Sequence, residues 1–317
     1  MSNDCLSVGV LVADHMCAPI ERLPKQGELI LTDQLLLTIG GCASNAAMDM
    51  ARVGIDVSVC GCVGDDAFGQ FIIDTLDGAK ARTNLIRKLP GVGTAATLIV
   101  NVKGEDRRFI HTLGANAKMT VADIPWDEVK RSKVLYVGGY VLMTALDQLE
   151  LAEVFRQAKA AGVMTVLDVV LPGPGDHWSK LEKLLPHTDV FLPNTDEAAN
   201  ITGLADPKAQ AVRFHEAGAG TVVITCGGDG TLLCTEGLRL QAEIYRFPYV
   251  GGTGAGDAFD AGYIAGLLQG LGPRECLAWG SVLGGSCVRA ISATESVFNR
   301  AEAEAYLKAN PLVAANW

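Results

Sequence analysis

Short apolar runs alternate with helical stretches along almost the whole chain. Leu6–Val12, Asp56–Gly64, Lys133–Gly139, Val163–Val169, Asp189–Pro193 and Thr221–Gly227 show little polar alternation, the pattern of strands covered on both faces. Between them, helical spacing and stop signals predict helices over Ser44–Val53, Ala145–Ala161, Lys208–Ala217 and Ala255–Gln269. Gly54, Gly162 and Gly218 follow the first three, where a left-handed residue commonly closes a helix. Strand and helix in alternation predict an α/β fold with a mostly parallel sheet covered by helices on both faces.

Residues 15–38 and 94–112 break this rhythm. They hold the β-type runs Leu29–Leu37, Thr97–Val102 and Arg107–Thr112 with no helix between, and Lys103-Gly104-Glu105-Asp106 reads as a hairpin turn. A small antiparallel sheet projecting over a crevice as a flap fits them; an edge extension of the main sheet is the rival reading. No repeat, low-complexity tract or linker divides the chain, so residues 1–317 read as a single domain.

Composition narrows the classes. At 317 residues, with 49% hydrophobic and 20% charged, the chain has room for a large core. A net charge of −10 argues against a nucleic-acid partner, which demands clustered Lys and Arg. Residues Met1–Asp4 lack the basic start of a signal peptide, and nothing approaches ~20 continuous apolar residues, so no membrane role and a cytoplasmic location are expected. The nine cysteines are scattered without zinc spacing and read as buried reduced thiols; the five histidines show no metal-ligand spacing either.

The strongest chemical signal is Gly252-Thr253-Gly254-Ala255-Gly256-Asp257, a glycine-rich turn opening an apolar helix. Helix starts carry unpaired N–H groups and a positive dipole end, which favour an anion such as phosphate. Asp257 is then an awkward neighbour unless it takes a proton from an attacking hydroxyl; a helix-capping carboxylate is the other reading.

Four further places qualify as candidates. Asp14 closes the first apolar run, where open α/β sheets bind ligands, and suits two vicinal hydroxyls; a turn aspartate is the alternative. Gly40-Gly41-Cys42-Ala43-Ser44-Asn45 is a second glycine turn feeding a helix, with Asn45 able to serve a polyol and Ser44 as cap. Asn194 and Glu197 have capping-box spacing, while Glu197 also suits a water-mediated Mg²⁺ contact. Thr225-Cys226-Gly227-Gly228-Asp229-Gly230 is either a hairpin turn or a flat floor for a nucleotide. Asp168 joins the metal and phosphate region or is structural.

In this order the motifs resemble the ribokinase-like (PfkB) carbohydrate kinases over essentially the whole chain. The Gly40-Gly41…Asn45 turn is similar to the family's N-terminal signature and Gly254-Ala255-Gly256-Asp257 to its C-terminal one, with Asn194…Glu197 and Thr225…Gly227…Gly230 between them. The resemblance implies a three-layer α/β/α sandwich with a small β-sheet lid over 15–38 and 94–112. It implies ATP-dependent phosphorylation of a hydroxymethyl group on ribose, fructose or a related sugar. Asp257 would be the base, and the amides of Gly254, Ala255 and Gly256 the anion hole. Glu197 would organise Mg²⁺, while Asn194, Thr225, Gly227 and Gly230 would lie along the nucleotide. Asp14, Gly40, Gly41 and Asn45 would hold the sugar, and the lid would exclude water and mediate a homodimer.

One departure stands out. Many relatives carry Asp-Thr where this chain has Gly251-Gly252, and in the ribokinase branch that Asp helps bind an activating monovalent cation; its absence counts against potassium activation. The family's nucleoside kinases stack the base on lid aromatics, whereas residues 15–38 have no Phe, Tyr or Trp and 94–112 only Phe109, which favours a small sugar. A nucleoside kinase and a catalytically silent sugar or nucleotide sensor remain the alternatives. Tyr140 could line the pocket, and Arg107 or Arg108 could meet a substrate phosphate or be a solvated hairpin arginine.

Overall fold

The computed structural model describes residues 3–105 and 108–317. The chain begins β1 (Asn3–Gly9), β2 (Val12–Cys17), β3 (Leu35–Gly40), α1 (Cys42–Arg52), β4 (Val57–Gly64), α2 (Ala67–Gly78), β5 (Arg82–Leu89), β6 (Ala96–Val100) and β7 (Arg108–Thr112). It continues α3 (Trp126–Arg131), β8 (Ser132–Gly138), α4 (Gln148–Ala160), β9 (Met164–Leu167), β10 (Val190–Phe191), α5 (Thr195–Thr202), α6 (Pro207–Glu216) and β11 (Thr221–Thr225). It ends with β12 (Thr231–Cys234), β13 (Arg239–Ala242), α7 (Ala255–Leu268), α8 (Pro273–Cys287), α9 (Arg300–Ala309) and β14 (Ala314–Asn316).

The main sheet has the order β14-β13-β12-β11-β10-β9-β8-β1-β4-β5. From β5 to β11 neighbours are parallel; β12, β13 and β14 add antiparallel strands at one edge. Period-two alternation sends side chains into two cores. Val57, Val59 and Val63 of β4 join Met50 of α1, Ile72 of α2, and Ile264 and Leu283 of α7 and α8. Cys60 and Cys62 of the same strand join Phe155 of α4, Ile201 of α5 and Phe214 of α6 on the opposite face. Fully buried strands covered on both sides explain why these runs lack polar alternation.

The two exceptional segments do form a separate sheet, of order β3-β2-β6-β7, and not an extension of the main sheet. Of the expected Leu29–Leu37 run only Leu35–Leu37 becomes strand, as the start of β3. β6 and β7 pair antiparallel as the hairpin reading requires; Asp106, in its turn, and Arg107 lie outside the described residues.

Two local expectations need correction. The run Leu6–Val12 is not one strand: β1 stops at Gly9, whose position admits no Cβ beside the Gly138 carbonyl, and the chain then crosses into the lid as β2. Asp14 therefore sits in a lid strand, not at the end of a main-sheet strand. Ser44 is not the cap of α1. Gly41 occupies that place, and Ser44 lies inside the first turn with its hydroxyl donating to the carbonyls of Gly40 and Gly41.

Candidate active site

The start of α7 forms one wall. Gly254 is its cap, with φ +79°, and a Cβ there would overlap the backbone of Ala293, so the fold itself demands glycine. Gly256, in the first turn, is exposed, and a Cβ on it would touch no protein atom. Packing gives no reason for that glycine, and the space above it is open. The Ala255 amide donates to the Gly252 carbonyl at 3.3 Å; among the described residues those of Gly254 and Gly256 have no acceptor. Two free donors at a helix start suit an anion, whereas the Ala255 amide of the expected three is already bonded.

Asp257 stands beside it. The Asn45 side-chain amide donates from Nδ2 to Asp257 Oδ2 at 2.8 Å, tying the start of α1 to the start of α7. Cys42, buried at the head of α1, brings its thiol within 4.8 Å of carboxylate oxygens of both Asp257 and Asp168. The Gly139 amide donates to Asp168 at 3.0 Å, and the Tyr136 hydroxyl to Asp260 at 2.9 Å. Burial raises the carboxyl of Asp257 above its ordinary range, and the bond from Asn45 and the Cys42 thiol partly reverse this. Asp168 and Asp260 are pushed up by burial and then by neighbouring carboxylates, including Glu197 and Asp257. The site therefore concentrates acidic groups that a cationic or proton-bearing ligand would relieve.

The sugar-side candidates meet Asp257 from the lid. Gly40 lies against Asp14 so closely that a Cβ would overlap the carboxylate; one at Gly41 would meet the Val10 carbonyl. Asp14 is buried, and its carboxyl is raised to about 6, first by burial and then by Asp257, against a bond from Thr97. Strand register places Thr38, Asp14, Thr97 and His111 side by side in one row, and partners in register share a face. The Thr97 hydroxyl and His111 Nδ1 are 3.0 Å apart, and Thr38 Oγ1 is buried with no partner. Thr38, Thr97 and His111 escaped sequence reasoning because only long-range pairing puts them beside Asp14. Cys42 escaped it among scattered cysteines, though its place directly after Gly40-Gly41 was a usable signal.

The nucleotide-side candidates gather at the far end. Asn194 caps α5, its side chain accepting from the Glu197 amide at 2.9 Å while Glu197 Oε2 accepts from the Asn194 amide at 2.9 Å. The capping reading holds, and Asn194 and Glu197 also line a cavity of about 320 Å³ with Leu171, Pro174 and Asn200. Glu197 is raised to about 7, first by burial, with Asp257 adding to it. Thr225 ends β11 and bridges to Asn194. The turn after it joins antiparallel strands, as a hairpin should. Gly227 and Gly228 face open space, whereas Gly230 has φ +99° and abuts the Ala242 carbonyl, a structural need.

Other candidates have partners of their own. Arg108 is exposed and paired with Glu105, and His177 and His215 bond to the backbone carbonyls of Gly173 and Ala219. Tyr140 is 3% exposed, packed in the core. The nine cysteines are all reduced thiols, seven of them buried. No helix among the described residues is long and apolar enough to cross a membrane.

Residues 4–300 match the family described as pfkB family carbohydrate kinase. The chain is 28% identical over 309 residues to the ribokinase of Haemophilus influenzae, covering 95% of this chain and 97% of that one. It is 28% identical over 295 residues to the ribokinase of Arabidopsis thaliana, covering 89% of this chain and 75% of the relative. A solved structure of Arabidopsis thaliana ribokinase, complexed with ribose and ATP, superposes with a TM-score of 0.83 at 25% identity, covering 97% and 99% of the two chains.

Proposed function

The chain belongs to the pfkB family of carbohydrate kinases, and from that premise we propose that it moves the γ-phosphoryl group of ATP to a hydroxymethyl group of a small sugar, with Asp257 as general base. The observation that carries the reading is the pairing of that carboxylate, held by Asn45, with the free amides of Gly254 and Gly256 on the same helix start. In the ionised state Asp257 accepts the proton of the attacking hydroxyl. The new O–P bond forms as the bond to the β,γ-bridging oxygen breaks, ADP leaves, and charge on the transferred group meets the amides. A carboxylate raised by burial is a better base at neutral pH than an exposed one.

Asn194, Thr225, Gly227 and Gly230 form the nucleotide side in this reading. Glu197, with Asp168 near it, offers hard oxygen donors in a crowded acidic site, which fits Mg²⁺. Bound there, the ion offsets phosphate charge. A screen of ADP release with ribose, fructose, 2-keto-3-deoxygluconate, adenosine and inosine tests the substrate class. Turnover with a nucleoside and none of the sugars overturns it, and no turnover at all favours a silent sensor.

Asp14, Gly40, Gly41 and Asn45 hold sugar hydroxyls, with the lid row of Thr38, Thr97 and His111 continuing the polar wall. Asp14→Asn is expected to raise the sugar KM roughly 10–100-fold, the loss of hydrogen bonds to a charged group, with a smaller effect on kcat. Wild-type sugar affinity should fall as pH drops through about 6, when Asp14 takes a proton. Stability runs the other way. With its folded value raised, Asp14 costs stability as pH climbs from the unfolded value near ~3.9 towards about 6. Substrate titrations and thermal melts across that window check both signs.

The opposite face of the lid carries Leu37, Leu98 and Ile110 in the adjacent register row, all exposed, with His15 between Leu37 and Leu98 and Leu35 beyond them. That apolar sheet face favours a homodimer through the lid. Sedimentation velocity should show a dimer that Leu98→Glu converts to monomer; a monomeric wild type overturns it. With Gly251 in place of the cation-binding Asp, K⁺ should activate little over Na⁺, and a large K⁺ response in the ADP-release assay contradicts this.

A further inference from the structure

Asp49 lies one helical turn beyond Asn45 on α1, so the two side chains share a face. α1 packs against α7, the helix that carries Asp257. Asp49 is 0% exposed and Asn45 3%. Asn45 Oδ1 and both carboxylate oxygens of Asp49 are buried without any hydrogen-bond partner. Three neighbouring acceptors with no donor is a costly arrangement, because each loses water and gains nothing. One proton on Asp49 removes the buried charge and supplies a donor for Asn45 Oδ1. Burial drives the Asp49 carboxyl far above the ordinary range; Arg52 on its own helix pulls the other way, and Asp257 across on α7 adds to the rise. Arg52 does not neutralise it by contact, since its guanidinium donates to the carbonyls of Glu295 and Val297. Asp260 and Tyr136, the next titratable pair on α7 and β8, bond to each other.

We propose that Asp49 is a positioning residue: its carboxylic acid group donates a hydrogen bond to Asn45 Oδ1 and locks the Asn45 amide with Nδ2 turned to the Asp257 carboxylate. An unconstrained amide can flip and set its oxygen against that carboxylate. A donor at Oδ1 forbids the flip and strengthens the Nδ2–H bond through polarisation. The chain Asp49–Asn45–Asp257 then fixes both the aim and the proton affinity of the base, and this rests on Asp257 having that role.

Asp49→Leu, which replaces a buried acid by an apolar side chain, is expected to fold yet lose about tenfold or more in kcat from misplacement of the base. The bond from Asn45 lowers the proton affinity of Asp257, so the acid limb of the kcat–pH profile should move to higher pH in that variant. Asp49→Asn, whose amide still donates, should keep the wild-type limb and rate. A Leu variant with an unmoved limb, or an Asn variant as impaired as the Leu one, overturns the proposal. Carboxyl ¹³C NMR of the unliganded protein at neutral pH reads the hydrogen bond without activity. A protonated Asp49 whose Asn45 amide signals shift in Asp49→Leu supports it; an ionised Asp49 sinks it while leaving the base assignment standing. Full activity of Asp257→Asn beside a protonated Asp49 would instead remove the base.

Discussion

Replacing Asp257 by asparagine is expected to lower kcat by roughly 10²–10⁴, the span associated with a positioned general base, with ATP binding nearly intact. The substitution keeps size and shape, so the start of α7 and the amides of Gly254 and Gly256 stay in place. What it removes is the carboxylate bonded to Asn45, the group that accepts the proton in the proposed reaction. The nucleotide side, around Asn194 and Thr225, lies on other elements and should not sense the change. Steady-state ADP release gives kcat, and calorimetric titration gives ATP affinity. A fully active variant would show that another group takes the proton. Stability supplies an independent sign. Because burial raises the folded value of Asp257, the native fold loses stability as pH rises from the unfolded value towards the folded one. The neutral asparagine has no such loss, so its melting temperature should overtake that of the wild type as pH increases.

How far the fold was legible depends on what each residue's neighbours are. Val57–Gly64 could be read from local sequence because a strand buried on both faces needs apolar side chains at every position, and β4 has them. Helix α4 was readable by its end, with Gly162 at φ +80° closing it, whereas its start was placed at Ala145, ahead of the Asp147 cap. The break within Leu6–Val12 was not readable. The same apolar residues serve the main sheet before Gly9 and the lid after it, and only the pairing partners differ. The site divides in the same way. Glycine turns at helix starts announce themselves locally, so Gly254, Gly256, Gly40 and Asn45 could be proposed from sequence. The lid row around Asp14 depends on register between strands more than 80 residues apart, as in Asp14 with Thr97. Cys42 and Asp49 sit within the motif region, but their meaning comes from what α7 and β8 press against them.

The anion cradle is best tested at Gly256, where stability and catalysis should separate. An alanine there adds a methyl group that meets no protein atom. In a helix, alanine is favoured over glycine by about 0.5–1 kcal/mol, so Gly256→Ala should melt at the wild-type temperature or above it. The space that the methyl enters is the open region over the free amides, where the transferred phosphoryl group must come. Loss of one such donor contact is associated with a fall of roughly 10²–10³ in kcat, and that is the expected result. Gly254→Ala is the contrasting case. It forces a side chain into φ +79° and into the Ala293 backbone, so it should lower stability as well as activity. Melting curves and ADP-release kinetics on the two variants distinguish a cradle from a helix cap. If Gly256→Ala keeps wild-type kcat, the phosphoryl group does not sit over this turn. If it loses activity only in proportion to lost fold, the glycine is structural. A stable, nearly inactive Gly256→Ala is the outcome that assigns the turn to phosphate, since nothing in the protein's own packing asks for glycine at that position.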